Sequence, residues 1–538
     1  MKAIPTAASL VALFLVPVSL SVAQEDNYLP GPDSKPQPGV PQGELITFGF
    51  SQSTVFPGTT RQVTVYVPRQ YDPAKPACLY VDQDGVQWNA PTVLDNLIAR
   101  KELPVIIGVF VTPGVVPAHD PSKQLSRFNR SLEYDGLGDS YYHLIQDEVL
   151  PVVETKVTAD GRPVHLSHAA NDRAIAGSSS GAIAAFTAAW EHPEAFSRVI
   201  SSVGTYVGLR GGEIYPTLVR KYEPKPIRVF LQDGSHDLNI YAGDWWMANQ
   251  TMERALTFAG YEVDHVWGDG SHNGKHIGAI LPDALRFIWK DWPKAVVAGH
   301  SKNGALAALL IDAETWQDVP RGMQAGATRR GPDGRTYAIK RNRTTVQAAG
   351  GPETTWADGI AATDLVVGHN GIAYVTSVAG AVWRVAPDGT KGVADSGLRS
   401  ASAVALSPDQ SLLYVADGDS HWIYSYQVQA DGSLADRQRY YWLHTDDLDD
   451  ASHAQGMCCD TSGWLYVATG LGVQVCDQAG RVNAILPTPG GGATAVHFEG
   501  DAMDTLIASC AGHAYARKLR TKGVNPWAEP VLPPVPHL

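Results

Sequence analysis

The residues best suited to chemistry lie in a short stretch rich in glycine and serine, Gly177-Ser-Ser-Ser-Gly181. An apolar run precedes it and a run of small residues follows it, so the pattern predicts a strand, a sharp turn and a helix. Only Ser179 among these serines has a glycine two positions before it and two positions after it. Such glycines let a strand and a helix close up around a serine on a strained turn. The spacing therefore predicts that Ser179 is a nucleophile, although a glycine-rich turn without chemistry would share the motif.

Two later loops supply an acid and a base in the order that such a nucleophile needs. Asp233-Gly-Ser-His-Asp237 follows one apolar strand, and Gly268-Asp-Gly-Ser-His272 follows the next. In a Ser-His-Asp triad on a parallel sheet, the acid comes after the nucleophile and the histidine comes last, each in a loop after a strand. We expect His272 to take the proton of Ser179 and an aspartate to hold the imidazole in the correct tautomer. Either end of the first loop, Asp233 or Asp237, can supply that carboxylate.

Ester hydrolysis through a serine also needs N–H donors for the oxyanion of the tetrahedral intermediate. The start of the predicted helix supplies the N–H of Ser180, and we expect a second donor from Val86 or Gln87, in the loop after an earlier strand. Other polar and aromatic side chains near these loops are candidates for substrate binding, with loop shaping or core packing as the alternative: Asp84, Trp88, Trp245, Trp246 and His276.

The segment that must position these residues, 44–294, alternates apolar strands with helices. Strands with continuous apolar cores, such as Val105–Val111, predict a parallel sheet covered by helices on both faces. Two alternating strands at the start, 45–50 and 62–67, predict an antiparallel pair. The predicted fold class of this half is α/β-hydrolase.

The second half, 300–538, changes to short strands with many glycines and aspartates. A turn followed by an apolar strand with Tyr recurs at Tyr337, Tyr374, Tyr414 and Tyr466, in steps of 37, 40 and 52 residues. A period near forty with several strands per repeat predicts a β-propeller. Five units are visible in the sequence, and a sixth could include Leu306–Ile311, so we expect five to six blades.

Composition and the N-terminus restrict location and partners. The 538 residues carry 42 Lys+Arg against 55 Asp+Glu, a net charge of −13, and no basic run, which argues against nucleic acid and anionic membranes as partners. An apolar run that ends on small residues predicts a signal peptide over 1–23, followed by an extended proline-rich leader over 24–43. No later segment is apolar enough to span a bilayer. We expect a secreted or periplasmic protein.

The five cysteines do not form a disulfide scaffold in a chain of this size. Four fall in the last hundred residues, where one bridge is possible: Cys458, Cys459, Cys476 and Cys510. No Cys/His spacing indicates a metal site, so neither a metal nor a cofactor is expected.

Several motifs in the first half together resemble the esterase D-like family, which includes enterochelin, feruloyl and acetyl-xylan esterases. They are Asp84-Gly85, Arg130–Asp135, Gly177–Gly181, Leu231–Asp237 and Gly268–His272. The resemblance covers about 44–293 and implies an α/β-hydrolase without a large cap that acts on esters. In the family's Gly-x-x-Asp segment the acid is the last residue, which favours Asp237 over Asp233.

Phrases in the second half, including Ala405–Asp409 and Leu465–Val473, resemble the gluconolactonase and regucalcin propellers. Those proteins hold a divalent metal in the central channel, but the expected ligand positions are Ser402 and Gln455 here, and no clear glutamate lies near 324–326. We therefore expect a non-catalytic propeller.

The sequence thus predicts a serine carboxylesterase with a small-molecule or polysaccharide ester as substrate, acetyl or feruloyl esters of polysaccharides being favoured. The oligomeric state stays open. The alternatives are a metal-dependent lactonase in the propeller, a glycan-binding protein with a vestigial esterase, and a siderophore esterase. The predicted export signal argues against the last, because siderophore esterases of the family are commonly cytoplasmic.

Overall fold

The computed structural model of the chain describes residues 27–319, 328–340, 343–447 and 449–536. The predicted signal peptide, 1–23, lies outside the described residues, as does the segment 324–326. Among the helices of the described residues, none combines the length and apolar composition needed to cross a bilayer.

The first half is built on one eight-stranded sheet with the strand order β1-β2-β4-β3-β7-β8-β9-β12. β1 and β2 run antiparallel, and the pairs from β4 to β12 are parallel. The central strands β3 and β4 are buried along their whole length, as expected for a sheet covered on both faces, although β3 ends on the polar residues Asp82 and Gln83. The strands of this half, including two short hairpins, are β1 (Glu44–Phe50), β2 (Arg61–Val67), β3 (Cys78–Gln83), β4 (Ile106–Val111), β5 (Val115–Val116), β6 (Arg127–Phe128), β7 (Arg173–Ser178), β8 (Arg198–Ser202), β9 (Arg228–His236), β10 (Asn239–Ile240), β11 (Gly243–Asp244) and β12 (Glu262–Ser271).

Helices cover both faces of this sheet and enclose two apolar clusters. The cluster on one face includes residues of α5, and the cluster on the other face includes residues of α1 and α8. The helices are α1 (Ala90–Ala99), α2 (Arg130–Tyr134), α3 (Ser140–His143), a π-helical turn (Leu144–Val149) that leads into α4 (Leu150–Val153), α5 (Ser180–Glu191), α6 (Tyr215–Lys221), α7 (Trp245–Ala259), α8 (Lys275–Trp289) and α9 (Gly304–Leu309).

The second half is a five-bladed β-propeller. Its described residues form five four-stranded sheets, in which β14, β18, β22, β26 and β30 are the innermost strands. The strands are β13 (Gln317–Asp318), β14 (Thr328–Arg330), β15 (Thr336–Lys340), β16 (Arg343–Gln347), β17 (Glu353–Asp358), β18 (Ala362–Val367), β19 (Ala373–Ser377), β20 (Val382–Val385), β21 (Lys391–Asp395), β22 (Ala401–Leu406), β23 (Leu412–Asp417), β24 (Trp422–Val428), β25 (Leu434–Trp442), β26 (Gly456–Cys459), β27 (Leu465–Thr469), β28 (Gly472–Cys476), β29 (Val482–Leu486), β30 (Ala495–Glu499), β31 (Thr505–Cys510) and β32 (His513–Lys518).

The prediction of a possible sixth blade is wrong. Leu306–Ile311 belongs to the segment of helix α9, whose apolar side chains Leu306 and Leu309 pack on the last two blades. The circle closes instead when β13, from the start of this half, pairs with β32 as the outer strand of the last blade. All five cysteines lie in the described residues and are free thiols.

The proline-rich leader is not a free linker over its described part. Tyr28 stacks on His276 with ring centroids 3.9 Å apart, and its hydroxyl donates to Asp269 Oδ1 at 2.6 Å. Further along, Asp33 forms ion pairs with Arg100 and Arg286 at 2.9 and 2.5 Å. The leader is therefore docked against α1, α8 and the loop that carries His272.

The two halves are joined by polar contacts and by a shared apolar cluster. Tyr222 forms a parallel β-bridge to Ile485, and both residues belong to one buried cluster. Lys221 Nζ donates to His444 Nε2 at 2.8 Å. Burial, and then the charge of Lys221, lower the pKa of His444 to about 4, which keeps its imidazole a neutral acceptor at neutral pH.

A bidentate ion pair between Arg517 and Glu223 also crosses this boundary. Arg517 Nη1 and Nη2 donate to the two carboxylate oxygens of Glu223 at 2.6 and 2.8 Å, and the arginine side chain is 4% exposed. We expect Arg517→Ala to lower the free energy of unfolding by about 2 kcal/mol, because it leaves a half-buried carboxylate without its cation. Urea unfolding measures this, with Arg335→Ala as the control, since Arg335 is 49% exposed beside Asp333. Equal losses for both variants would contradict the prediction.

Candidate active site

The strand-to-helix turn at Ser179 has the geometry that its glycines predict. Ser179 has φ +59° and ψ −122°, between the end of β7 at Ser178 and the start of α5 at Ser180. A Cβ atom on Gly177 would lie 2.2 Å from the carbonyl oxygen of Gly181, so strand and helix can approach this closely only with glycine at 177. The turn leaves Ser179 half-buried, within reach of solvent.

The structure brings Ser179, His272 and Asp237 together in one hydrogen-bonded chain. His272 Nε2 lies 2.8 Å from Ser179 Oγ, and His272 Nδ1 lies 2.5 Å from Asp237 Oδ1. The Asp237 side chain is fully buried, whereas His272 is 21% exposed. In this arrangement Nδ1–H donates to the carboxylate and Nε2 can accept the serine proton. The arrangement can therefore generate a serine nucleophile; that these residues are catalytic stays a prediction.

The loops that carry the acid and the histidine pack backbone to backbone. A Cβ on Gly234 would lie 2.1 Å from the carbonyl oxygen of Gly270, so glycine is needed at 234. A bulge in the β9–β12 pairing between Gly268 and Ser271 turns the chain just before His272. These two features place the histidine loop against the acid loop.

Asp233 and Asp237 form a buried carboxyl pair. Asp237 Oδ1 accepts from His272 and from the N–H of Leu238, and Asp233 Oδ1 accepts from the N–H of Gly234. The two Oδ2 atoms are buried. Burial, and then the hydrogen bond and charge of Asp237, raise the pKa of Asp233 to about 9. At neutral pH Asp233 is therefore protonated, beside the carboxyl group of Asp237.

Thr205 and Trp245 contact the triad in ways that the sequence did not predict. Thr205 Oγ1 lies 3.4 Å from Ser179 Oγ, and it accepts a hydrogen bond of 3.3 Å from Trp245 Nε1. The Trp245 ring meets the His272 ring edge to face at 5.7 Å and is 3% exposed. Trp245 thus packs behind the histidine rather than forming an open stacking platform. In the sequence, the position of Trp245 next to Asp244 at a predicted helix start was the feature that could have indicated this packing. No sequence feature indicated Thr205.

The loop after β3 lies against the start of α5, where an oxyanion would be held. Ser180 is the first residue of α5, so its N–H has no intrahelical acceptor. A Cβ on Gly181 would lie 3.1 Å from Gln83 Cβ, which places the loop with Val86 and Gln87 beside the helix start. Val86 is 45% exposed, and Gln87 Nε2 donates to the Gln83 carbonyl at 2.9 Å. The second oxyanion donor stays a prediction.

Asp84 is held by an arginine from the motif that also marks the family resemblance. Arg130 Nε and Nη2 donate to the two oxygens of Asp84 at 2.7 and 2.8 Å, and Nη2 also reaches the carbonyl of Ser178. Asp84 and Gly85 both have positive φ, +65° and +83°. The pair therefore fixes the loop after β3 to the nucleophile strand.

The other candidate substrate residues differ in accessibility. Trp88 is 9% exposed within the apolar cluster under α8, and His276 is 4% exposed and accepts at Nδ1 from Gln232. Trp246 is half-buried and meets Trp267 edge to face at 5.6 Å. Of the aromatic candidates, Trp246 is therefore the one with an accessible surface.

In the propeller, the two described positions that correspond to metal ligands in the gluconolactonase and regucalcin propellers, Ser402 and Gln455, form hydrogen bonds to the backbone. Ser402 Oγ donates to the Ala416 carbonyl at 3.3 Å, and the N–H of Gln455 donates to Ala468 at 3.1 Å. Both lie at the starts of innermost strands, β22 and β26. The third position, 324–326, lies outside the described residues.

Comparison with protein families confirms both resemblances. Residues 53–262 match the family model described as "Putative esterase", and residues 295–512 match the one described as "SMP-30/Gluconolactonase/LRE-like region". A comparison with curated proteins gave no match.

Several solved structures are similar to one half of the chain or the other. A ferulic acid esterase has 18% identity, with 46% of this chain and 99% of that one covered and a TM-score of 0.36. The enterobactin esterase of Shigella flexneri, solved with 2,3-dihydroxy-N-benzoyl-glycine, has 22% identity, coverages of 48% and 62%, and a TM-score of 0.37. A gluconolactonase of Xanthomonas campestris has 24% identity, coverages of 36% and 71%, and a TM-score of 0.31. This chain thus spans about three fifths of the enterobactin esterase's length.

Proposed function

We propose that this chain, an esterase-family domain joined to a five-bladed gluconolactonase-like propeller, is a secreted serine carboxylic-ester hydrolase. The observation that carries the proposal is the chain of contacts from Ser179 Oγ to His272 Nε2 at 2.8 Å and from His272 Nδ1 to Asp237 Oδ1 at 2.5 Å. A nucleophile, a base and a buried orienting carboxylate in this order are the parts that acyl transfer requires.

The reaction proceeds through an acyl-enzyme. His272 Nε2 takes the hydroxyl proton while Ser179 Oγ attacks the ester carbonyl carbon, and the carbonyl oxygen becomes an oxyanion that the N–H of Ser180 and a donor from 86–87 stabilise. Collapse of the intermediate breaks the bond to the alcohol, which leaves with the proton from His272. Water then attacks the acyl-serine with His272 as base, and the acid product and free Ser179 are released.

The substrates that we propose are acetyl or hydroxycinnamoyl esters of polysaccharides. The predicted export signal supports an extracellular polymer as the substrate, and the esterase family resemblance includes enzymes for both acyl groups. The half-buried Trp246, with Trp267 beside it, offers aromatic surface for a sugar or a phenolic ring. The propeller takes no part in the chemistry in this proposal.

The first test is labelling together with turnover. A fluorophosphonate probe should add to the full-length protein once, on the peptide that contains Ser179, and the labelled protein should lose hydrolysis of p-nitrophenyl acetate. Unlabelled protein is then compared on acetylated xylan, methyl ferulate and a catecholate trilactone by kcat/KM. Labelling at another residue with full retention of activity contradicts the triad. A trilactone turned over at least tenfold faster than the other esters overturns the polysaccharide substrate and leaves the serine hydrolase intact.

A further inference from the structure

Three ligand-type side chains meet at the end of α5 that is remote from Ser179. Asp139 directly precedes α3, His143 ends it, and His192 directly follows α5. Asp139 Oδ2 lies 3.2 Å from His143 Nε2 and 3.4 Å from His192 Nε2, and the three ligand atoms lie within 4.8 Å of one another. Although Asp139 occupies the N-cap position of α3, its carboxylate makes no capping hydrogen bond to that helix. It is turned toward the two imidazoles instead.

Each imidazole has a second carboxylate on its other ring nitrogen. His143 Nδ1 lies 2.7 Å from Asp147 Oδ2, and His192 Nδ1 lies 2.8 Å from Glu194 Oε1. A carboxylate in this position takes the Nδ1–H and leaves the lone pair of Nε2 free for a cation. Tyr142 stacks on His192 with ring centroids 3.6 Å apart, which fixes that ring in its plane. Two carboxylate–histidine pairs, Asp147–His143 and Glu194–His192, thus direct their Nε2 atoms at the same carboxylate, Asp139.

The two separations from Asp139 Oδ2 agree with tetrahedral coordination, and the two imidazole nitrogens lie within 4.8 Å of each other. Two ligand atoms bound to zinc at about 2.0 Å with a tetrahedral angle lie about 3.3 Å apart. The two separations from Asp139 Oδ2 are 3.2 Å to His143 Nε2 and 3.4 Å to His192 Nε2. Two imidazole nitrogens and one carboxylate oxygen are a donor set typical of zinc and other late first-row divalent ions.

We propose that Asp139, His143 and His192 form a binding site for a divalent transition metal of the zinc class, with Asp147 and Glu194 as the outer carboxylates. The side chains of Asp139 and His143 are 43% and 42% exposed, so the fourth position faces solvent and takes a water molecule. The metal joins α3 to the C-terminal end of α5 and acts as a structural cross-link.

The site is independent of the proposed hydrolysis. Helix α5 has 12 residues and is about 18 Å long, so the metal would lie that far along the helix from the nucleophile turn. It lies instead near the propeller, since the N–H of Leu137 donates to Asp447 Oδ2 at 3.1 Å. The sequence alone did not indicate this cluster, because the third side chain is distant from the first two in the chain.

The test uses untagged full-length protein, stripped with a chelator and titrated with metal at pH 8. We expect one equivalent of Co²⁺ to bind with the visible absorption of a four-coordinate site, and Zn²⁺ to displace it. At a free Zn²⁺ concentration a hundredfold above Kd, Tm should rise by about 5 °C. His192→Ala and Asp139→Asn should each abolish the Co²⁺ spectrum, and Glu194→Gln should weaken Zn²⁺ binding by about 10- to 100-fold.

The matched control is His453→Ala. His453 pairs with Asp449 at 2.8 Å at a spacing of four residues, as His143 does with Asp147, but on the propeller surface. This variant should bind Co²⁺ as wild type does. Stripped His192→Ala should keep the circular dichroism of stripped wild type; if it does not, His192→Gln replaces it in the comparison. Absence of a four-coordinate spectrum in wild type, or an unchanged spectrum in both the His192 and the Asp139 variants, overturns the proposal.

Discussion

Ser179→Ala is expected to lower kcat for p-nitrophenyl acetate by about five to six orders of magnitude. The hydroxyl that His272 activates at 2.8 Å is the only atom of the triad that forms a bond to the substrate in the proposed mechanism. Without it, the N–H donors and the binding surface can still assist attack by water, so a small residual rate above the uncatalysed one remains. KM should change little, because the substrate still meets the same surface.

The neighbouring serine provides a matched control for this loss. Ser178 ends β7 and contributes its backbone carbonyl to Arg130, so Ser178→Ala keeps that contact and the turn. We expect its kcat to stay within about threefold of wild type, because the substitution leaves the backbone carbonyl that Arg130 binds. If Ser178→Ala loses activity and Ser179→Ala keeps it, the nucleophile has been assigned to the wrong serine.

Much of this site could be predicted from the sequence because its geometry depends on short-range chemistry. Gly177 and Gly181 flank Ser179 because a Cβ at 177 would collide with the backbone at 181. The acid and histidine loops meet because β9 and β12 are neighbouring parallel strands, whose carboxyl ends lie at one edge of the sheet. The structure places Asp237, rather than Asp233, against the imidazole; that Asp237 is the catalytic acid stays a prediction.

The features that the sequence did not show depend on contacts between distant segments. Trp88 resembles a pocket residue in the sequence, but α8 buries it from almost two hundred residues away. The leader has the composition of a linker, yet the pairing of Asp33 with Arg286 and the stacking of Tyr28 on His276 hold it in place. Helix α9 is rich in apolar residues, as a buried strand would be, because it packs on the last two blades. Burial by a remote element leaves no local pattern to detect.

Asp237→Asn should lower kcat by about four orders of magnitude with little change in KM. The carboxylate accepts Nδ1–H of His272 and balances the imidazolium that forms during attack, and an amide can do neither without cost. An amide N–H₂ directed at Nδ1 also favours the tautomer with its proton on Nε2, which cannot accept the proton of Ser179. Steady-state kinetics on p-nitrophenyl acetate across the pH range measures the effect.

Asp233→Asn is the matched partner of this variant, because it changes the same group four residues away in the same buried pair. An amide at 233 still accepts from the N–H of Gly234 and still donates to Asp237, as the protonated acid does. We therefore expect kcat to fall less than tenfold. If Asp233→Asn lowers kcat by about four orders of magnitude and Asp237→Asn leaves kcat nearly unchanged, the orienting acid is Asp233.

The two variants of this pair also differ in how stability depends on pH. The pKa of Asp233 is raised from its ordinary value of 3.8 to about 9, so between these values the unfolded chain releases a proton that the folded protein keeps. Folded wild type thus loses stability as pH rises through this window, by at most about 1.4 kcal/mol per pH unit. Asp233→Asn removes this proton linkage, so its free energy of unfolding relative to wild type should increase from pH 5 to pH 8 in urea titrations. Parallel curves for the two proteins would mean that the folded protein does not hold this proton on Asp233, which would contradict the prediction.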